Sequence, residues 1–281
     1  MLIYNKIKEL HQYIAEQKQK GLSIGFVPTM GALHQGHMSL IEASQKSTGI
    51  TICSIFVNPN QFNKLNDLKL YPRTPESDIN LLKASGCSVL YMPEISDVYQ
   101  NKEVPHFNFG YLDDILEGKN RPYHFNGVGQ VLSILFQEIM PDKAFFGSKD
   151  YQQVLVVRHL IKQLNFPIQI ISCPILRETD GLAMSSRNTR LTKEERNIAS
   201  LIPQMMLKAK QIAIDKGVEQ AYLYINQNIS NVPEMKLDYY SICSAETLQP
   251  ISSINKNVSC ISVIAVFVGE IRLIDNLLIK N

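Results

Sequence analysis

The residues with the clearest chemical potential lie in "TMGALHQGHMSL", residues 29–40, where His34 and His37 flank Gly36. A glycine-bearing turn that opens a helix at the carboxyl end of a parallel strand is where α/β proteins bind phosphates, because free peptide N–H groups and the helix dipole favour an anion. Histidines in such a turn can also donate hydrogen bonds to charge that develops at phosphorus. The stretch therefore predicts an anion site. A zinc site, which would lack a third ligand in a recognisable pattern, and two incidental histidines are the alternatives.

Two further polar turns follow strand-like runs. "SIFVNPNQF" (54–62) ends a β-branched run with Asn58 and Gln61, and a glutamine amide can donate to a carboxylate or accept from a hydroxyl. "FFGSKDYQQ" (145–153) places Lys149 at a helix start, where a lysine suits a nucleotide phosphate. An ordinary strand-to-loop turn and a solvated lysine beside a helix-capping aspartate are the alternatives. Both turns are expected at the edge of the sheet where ligands bind.

A fourth polar stretch is "RETDGLAMSSRN", residues 177–188. Gly181 and the consecutive Ser185 and Ser186 predict a polar, flexible loop, and Arg187 adds a side chain that can bind a phosphate with two parallel hydrogen bonds. The alternative interpretation is a linker between domains.

The elements that must position these residues follow from hydrophobic periodicity. Up to about residue 176, short apolar runs such as "ITICSIFV" (50–57) alternate with segments that have apolar residues at helical spacing, such as residues 149–165. This alternation predicts an α/β fold, a Rossmann-like doubly wound parallel sheet covered on both faces. We predict that residues 1–176 form this domain.

After that point, helical patterns are followed by three strand-like stretches in a row, which predicts a smaller α+β domain over 177–281. Thr192 with Glu195 predicts a capping box at the start of its first helix. Pro203 is expected to kink or divide that helix.

Composition excludes several classes of protein. The 281 residues carry 28 basic and 26 acidic side chains without a run of five like charges, so no surface for nucleic acid is evident. The five cysteines are scattered, which fits reduced, buried thiols rather than disulfides or a zinc knuckle. The longest apolar stretch (260–269) is about half of what a membrane helix needs, and the first residues lack a signal-peptide pattern. We expect a soluble, cytoplasmic protein with no membrane partner.

Taken together, the motifs resemble one family. "PTMGALHQGHMSL", "FVNPNQF", "FGSKDYQQ", "RETDGLAMSSRN" and "IRLIDN" occur in the order and spacing seen in the pantoate–β-alanine ligases, over essentially the whole chain. The resemblance implies ATP-dependent condensation of (R)-pantoate with β-alanine, which gives (R)-pantothenate, AMP and diphosphate through a pantoyl-adenylate. It further implies Mg²⁺ with ATP, no metal site built from protein side chains, and a homodimer.

The resemblance also implies a role for individual residues. The catalytic residues would be His34, His37, Lys149 and Arg187. The ATP-binding residues would be Met30, Gly31, Ala32, Leu33, His34, Gln35, Gly36, His37, Gly147, Ser148, Lys149, Asp150, Leu176, Met184, Ser185, Ser186 and Arg187. Gln61 and Gln153 would bind pantoate, Gln61 would also meet β-alanine, and Asn58 is a further candidate contact. The smaller domain would act as a lid.

Three stretches depart from the family pattern. "FVGEIRLIDN" has Glu270 and Ile271 where the pattern is usually looser and more basic. Ser148 stands where an acidic or larger polar residue is usual, and Tyr123 stands where glycine is expected. The alternative function is that of a nucleotidylyltransferase of the same superfamily acting on a phosphorylated acceptor. Such enzymes share the His-x-Gly-His turn and a loop like "MSSRN", but not "FVNPNQF" or the paired glutamines of "DYQQ".

Overall fold

The computed structural model describes residues 1–63, 65–99, 104–255 and 257–280. Its strands are β1 Leu2–Tyr4, β2 Ile24–Thr29, β3 Ile50–Ile55, β4 Val89–Tyr91, β5 Lys143–Gly147, β6 Gln169–Cys173, β7 Met235–Ser244, β8 Cys260–Val268 and β9 Ile271–Lys280. Its α-helices are α1 Ile7–Gln19, α2 Gln35–Gln45, α3 Leu65–Lys69, α4 Pro75–Ala84, α5 Ile95–Tyr99, α6 Leu116–Asn120, α7 His124–Ile139, α8 Tyr151–Gln163, α9 Lys193–Ala199, α10 Leu201–Lys216 and α11 Val218–Ser230. The chain divides into two compact units, Met1–Pro174 and Ile175–Asn281. The boundary predicted at residue 176 lies two residues further along.

The first unit is built on a six-stranded sheet in the order β1-β4-β3-β2-β5-β6, in which every pair is parallel. Its central strands are continuous apolar runs because both faces are covered: Phe26, Ile52 and Leu90 are fully buried. The doubly wound fold predicted from the sequence is confirmed. The strand order reverses between β2 and β5, and the carboxyl ends on either side of this reversal form the crevice where such sheets bind ligands.

One strand and three short helices were not predicted. Strand β1 pairs with β4 through three residues, Leu2 to Tyr4, and a run this short has no measurable period beside the helical pattern that follows it. Helices α3, α5 and α6 have five residues each, which is too few to establish a helical repeat. The long elements, in contrast, agree with the periodicity of the sequence.

The second unit places α9, α10 and α11 with an antiparallel sheet in the order β7-β8-β9. The predicted capping box is present: Thr192 Oγ1 accepts from the Glu195 N–H at 3.2 Å, and Glu195 Oε2 accepts from the Thr192 N–H at 2.8 Å. The helix divides at Ser200. Pro203 then lies in the first turn of α10, where a missing N–H breaks no helical hydrogen bond.

Two expectations about the chain as a whole concern cysteines and membranes. All five cysteines are free and buried. Among the described residues, no helix has the length and apolar character required to cross a membrane.

Candidate active site

The two histidines lie where β2 ends and α2 begins. His34 is the N-cap residue of α2, and its Nδ1 accepts from the Gly36 N–H at 3.1 Å. His37 Nδ1 accepts from the His34 N–H at 3.3 Å, and the two rings lie 4.1 Å apart between centroids. A peptide N–H can only donate, so each Nδ1 must be the unprotonated ring nitrogen. Both imidazoles therefore carry their proton on Nε2.

Their electrostatic surroundings keep both rings uncharged. Burial, followed by the positive charge of Lys149, lowers the pKa of His34 from 6.5 to about 4. Burial, then His34 and Lys149, lowers the pKa of His37 from 6.5 to about 3. Neither Nε2 has a hydrogen-bond partner among the residues that the structure describes. The pair thus offers two neutral N–H donors, which suits the stabilisation of negative charge on a ligand rather than proton delivery.

Most peptide N–H groups of the same turn already donate to acceptors within the protein. Asp78, a buried residue of α4, accepts from the Ala32 N–H at 2.9 Å and from the Leu33 N–H at 2.8 Å. Gly31 N–H donates to Thr29 Oγ1 at 3.3 Å. The N–H groups that donate within the protein are those of Gly31, Ala32, Leu33, His34, Gly36 and His37. The expectation that this turn presents free peptide N–H groups is therefore wrong for these six positions, and the imidazoles are its donors.

Asp78 also explains the backbone geometry of the turn. Gly31 and Ala32 have φ angles of 79° and 50°, a left-handed conformation that is uncommon for alanine. The buried carboxylate accepts two successive peptide N–H groups and a third hydrogen bond from Thr74 Oγ1 at 3.1 Å. These bonds offset the strain and fix the segment that leads to the histidines.

Lys149 follows β5, which lies on the opposite side of the strand-order reversal from β2. Strand β5 ends at Gly147, and Ser148 to Asp150 form a short 3-10 helix before α8. The sheet thereby brings the charge of Lys149 within electrostatic reach of both imidazoles. The structure places His34, His37 and Lys149 together at the carboxyl edge, although 112 residues separate His37 from Lys149 in the sequence.

Gln61 lies at the same edge, after β3. Asn58 caps the short 3-10 helix Pro59–Gln61, and its Nδ2 donates to Gln61 Oε1 at 3.2 Å and to the Gly127 carbonyl at 3.0 Å. Gln61 Nε2 donates to Met30 Sδ at 2.9 Å, which joins this turn to the segment that leads to the histidines. Asn58 is buried and its amide is satisfied within the protein, so it acts on Gln61 rather than reaching a ligand directly.

The backbone of Gln61 is held separately by the start of α7. His124, which is buried, donates from Nδ1 to the Gln61 carbonyl at 2.7 Å, and its Nε2 accepts from Arg121 at 3.0 Å. A Cβ on Gly127 would lie 2.3 Å from the Asn60 carbonyl oxygen, so only glycine allows α7 to approach this turn. Tyr123 precedes the helix with φ of 64° and an exposed side chain. It therefore adopts the left-handed conformation that the expected glycine would favour.

The paired glutamines of α8 have different surroundings. Gln152 is buried and bonds to backbone groups at Leu112, Ile115 and Glu117. Gln153 is partly buried, and its side chain has no hydrogen bond to the other described residues. Gln152 is therefore structural, and Gln153 is the glutamine available to a ligand.

The remaining predicted residues belong to the second unit. Met184 N–H donates to the Leu176 carbonyl at 3.0 Å, and the Ser185 side chain accepts from the Arg187 N–H at 3.2 Å. Arg177, which the sequence placed in the same polar loop, instead forms a bidentate ion pair with the buried Asp275 at 2.7 and 3.0 Å. This pair explains the aspartate in "IRLIDN" and makes Arg177 structural.

The residues that sequence reasoning missed act on other residues rather than on a ligand. They are Asp78, Arg121, His124 and Tyr99, whose hydroxyl donates to Asn58 Oδ1 at 2.6 Å. Asp78 is one of two acidic residues in the first turn of α4. That position was its only signal, and acidic residues there are equally typical of a favourable charge at a helix N-terminus. Nothing in the sequence connects Tyr99 or Arg121 with Gln61, because each is about 40 to 60 residues away from the turn it supports.

Comparison with known proteins agrees with the geometry. The profile of the family described as pantoate-beta-alanine ligase matches residues 2–278. The pantothenate synthetase of Bacteroides fragilis is 41% identical over 281 residues, with 100% of each chain covered. The crystal structure of pantothenate synthetase from Thermus thermophilus has a TM-score of 0.92 at 36% identity and covers 100% of both chains. The pantoate-beta-alanine ligase of Francisella tularensis, solved in complex with beta-gamma ATP and beta-alanine, has a TM-score of 0.83 at 35% identity, covering 99% of this chain and 98% of that one.

A doubly wound parallel sheet with a His-x-Gly-His turn at its strand-order reversal is the architecture of a class of nucleotide-binding α/β enzymes. The family profile and the similar proteins identify one family within that class. The chain belongs to the pantoate–β-alanine ligase family, and it is therefore a ligase that forms an amide bond.

Proposed function

We propose that this chain joins (R)-pantoate to β-alanine, with cleavage of ATP to AMP and diphosphate, through a pantoyl-adenylate. The observation that carries the proposal is the shared sheet edge on which two neutral imidazole donors, the charge of Lys149 and the amide of Gln61 occur together. A free carboxylate is a poor electrophile at neutral pH, so the amide bond requires a carboxyl group that carries a leaving group. Adenylation supplies it.

In the first half-reaction, a carboxylate oxygen of pantoate attacks the α-phosphorus of ATP, and the bond from that phosphorus to the diphosphate oxygen breaks. Negative charge shifts to the diphosphate, and no proton has to move. The Nε2–H groups of His34 and His37 and the ammonium of Lys149 would stabilise that charge. Donors held before the reaction need no reorganisation as the charge develops.

In the second half-reaction, the amine of β-alanine attacks the acyl carbon of the adenylate, and the carbon–oxygen bond to AMP breaks. The amine attacks in its uncharged form, and the proton that it loses as the amide forms passes to water. Gln61 would hold the pantoyl group and meet β-alanine, and Gln153 would contact pantoate. That Gln153 faces the ligand is supported by the contrast with Gln152, whose side-chain amide is hydrogen-bonded to backbone groups.

Mg²⁺ is proposed to enter with ATP. Among the described residues, no group of three or more His, Cys, Asp or Glu side chains could hold a metal, and a hard cation prefers phosphate oxygens. When bound, Mg²⁺ would neutralise charge on the phosphates. The chain's own contribution is to hold and orient the nucleotide that carries it.

The second unit is proposed to act on the diphosphate side of ATP. Its loop Met184–Arg187 is fixed locally by the Ser185 cap, and the Arg187 guanidinium is suited to bidentate contact with a phosphate. We propose residues 1–176 as the ATP- and pantoate-binding catalytic domain and 177–281 as a lid. Replacing Arg187 with Gln should then weaken the binding of ATP and leave the affinity for pantoate unchanged, both measured by calorimetry.

We also propose a homodimer in the cytoplasm, where ATP is available. The dimer rests on the family resemblance, and light scattering across a concentration series tests it: a mass that stays at that of one chain refutes it.

The function is tested by exchange of labelled diphosphate into ATP. Exchange should require pantoate and should not require β-alanine, and addition of β-alanine should yield pantothenate and AMP. Exchange that occurs without pantoate, or only with a phosphorylated acceptor, would overturn the proposal in favour of a nucleotidylyltransferase. Replacing His37 with Ala should slow exchange about 100-fold or more, the cost of losing a donor to developing charge. Near-normal exchange in that variant would refute the role of His37.

A further inference from the structure

We infer that Asn58 and Tyr99 are positioning residues, which turn the Gln61 amide so that its N–H side, and not its carbonyl, faces pantoate. The inference rests on the proposed function, because it concerns how that site holds pantoate. None of the sequence motifs contains Tyr99, and Asn58 was predicted only as a contact of the substrate.

The amide of Asn58 has only one possible orientation. Its Oδ1 accepts from the Asn60 N–H at 3.2 Å, and its Nδ2 donates to the Gly127 carbonyl at 3.0 Å. The first partner can only donate and the second can only accept, so reversing the amide would lose both hydrogen bonds. Asn58 is 1% exposed, so solvent cannot replace them.

The orientation of Asn58 then determines that of Gln61. The second N–H of Asn58 Nδ2 donates to Gln61 Oε1 at 3.2 Å, which leaves Gln61 to offer Nε2 to a ligand. In the structure this Nε2 lies 2.9 Å from Met30 Sδ. A thioether is a weak acceptor, whereas the carboxylate and hydroxyl oxygens of pantoate are strong ones. Pantoate would therefore take over a donor that the protein leaves poorly satisfied.

Tyr99 is the first donor in this series of hydrogen bonds. Its O–H donates to Asn58 Oδ1 at 2.6 Å, across 41 residues of sequence. Its ring lies 6.1 Å from the Phe56 ring between centroids, which places the hydroxyl at the end of β3. Hydrogen bonds that run in one direction polarise one another. Tyr99, Asn58 and Gln61 thus form a relay in which each residue donates to the next and the last donates to pantoate.

The first experiment removes the relay's outer donor. Tyr99→Phe keeps the ring and loses the O–H, and we expect the KM for pantoate to rise about fivefold while the KM for ATP stays within about twofold. Tyr222→Phe is the control, since the hydroxyl of Tyr222 is likewise hydrogen-bonded within the protein, to Ser241 Oγ at 3.0 Å and to the Ile242 N–H at 3.1 Å in the second unit. This control should leave both KM values unchanged. An unchanged KM for pantoate in Tyr99→Phe overturns the inference.

A double-mutant cycle tests whether Tyr99 acts through Gln61. In a Gln61→Ala background, Tyr99→Phe should cause no further loss in kcat/KM for pantoate, because the relay no longer has its last member. Independent effects that multiply would show that Tyr99 has a merely structural role, and would overturn the inference.

Gln61→Glu tests the polarity itself. The carboxylate keeps the size of the amide and its acceptor toward Asn58 but offers pantoate no donor, so kcat/KM for pantoate should fall about 100-fold or more. A near-normal value would show that Gln61 presents an acceptor, against the inference. These outcomes are distinct from failure of the proposed function, in which the wild-type protein itself would lack pantoate-dependent exchange.

Discussion

The uncharged state of His34 and His37 predicts a loss of stability in mild acid. In the unfolded chain both imidazoles have an ordinary pKa of 6.5, whereas in the folded protein the values are about 4 and about 3. Below pH 6.5 the unfolded state therefore binds more protons than the folded state, and the free energy of unfolding falls with pH. The loss begins near pH 6.5 and continues until the folded-state pKa values are reached.

The magnitude between pH 7.5 and pH 5.5 follows from these values. At pH 7.5 both histidines are almost entirely neutral in either state, so they contribute nothing. At pH 5.5 they are protonated in the unfolded chain and still neutral in the folded one, which costs about 1.4 kcal/mol for each residue and about 3 kcal/mol for the pair. The figure requires only that both folded-state pKa values lie well below 5.5.

The assay compares the wild-type protein with a His34→Gln, His37→Gln double variant. Hydrogen exchange of a β3 peptide, measured by mass spectrometry across a urea series, reports the unfolding of the first unit at each pH. Other groups titrate equally in both proteins, so the difference between them isolates the pair. We expect the wild-type protein to lose about 3 kcal/mol more than the variant between pH 7.5 and 5.5. Parallel pH dependences would refute the reasoning, as would nitrogen NMR signals of a protonated His34 or His37 at pH 6.

Three further substitutions test the supports of the site. Asp78→Asn should destabilise the first unit by about 2 kcal/mol or more, because an amide NH₂ would face a peptide N–H, and it should slow diphosphate exchange; unchanged urea midpoints and exchange rates would contradict this. Gly127→Ala should cost about 1–3 kcal/mol and raise the KM for pantoate, since the methyl group would lie 2.3 Å from the Asn60 oxygen; normal pantoate kinetics would show that the close approach is not needed. Asp275→Asn should destabilise the second unit by about 3 kcal/mol, because it leaves a guanidinium without its buried partner; a melting curve identical to that of the wild-type protein would refute it.

Much of the architecture follows from local patterns. Buried strands such as β3 are continuous apolar runs, and the helices between them have apolar residues at helical spacing, so the parallel sheet and the class of fold are predictable. The capping box of α9 follows likewise from Thr192 and Glu195, three residues apart. Signals of this kind depend only on residues that are close in sequence, so they can be recognised without a structure.

The sequence by itself also indicated which residues could do chemistry, because their types and spacing are local: the histidine pair, Gln61 and Lys149. Tertiary structure alone decided how those residues are used. Asp78, 46 residues from Ala32, occupies the peptide N–H groups that a phosphate was expected to take, and Tyr99 reaches Asn58 from 41 residues away. Hydrogen bonds to distant residues decide which donors are engaged and which remain for a ligand, and a linear pattern contains no record of those contacts.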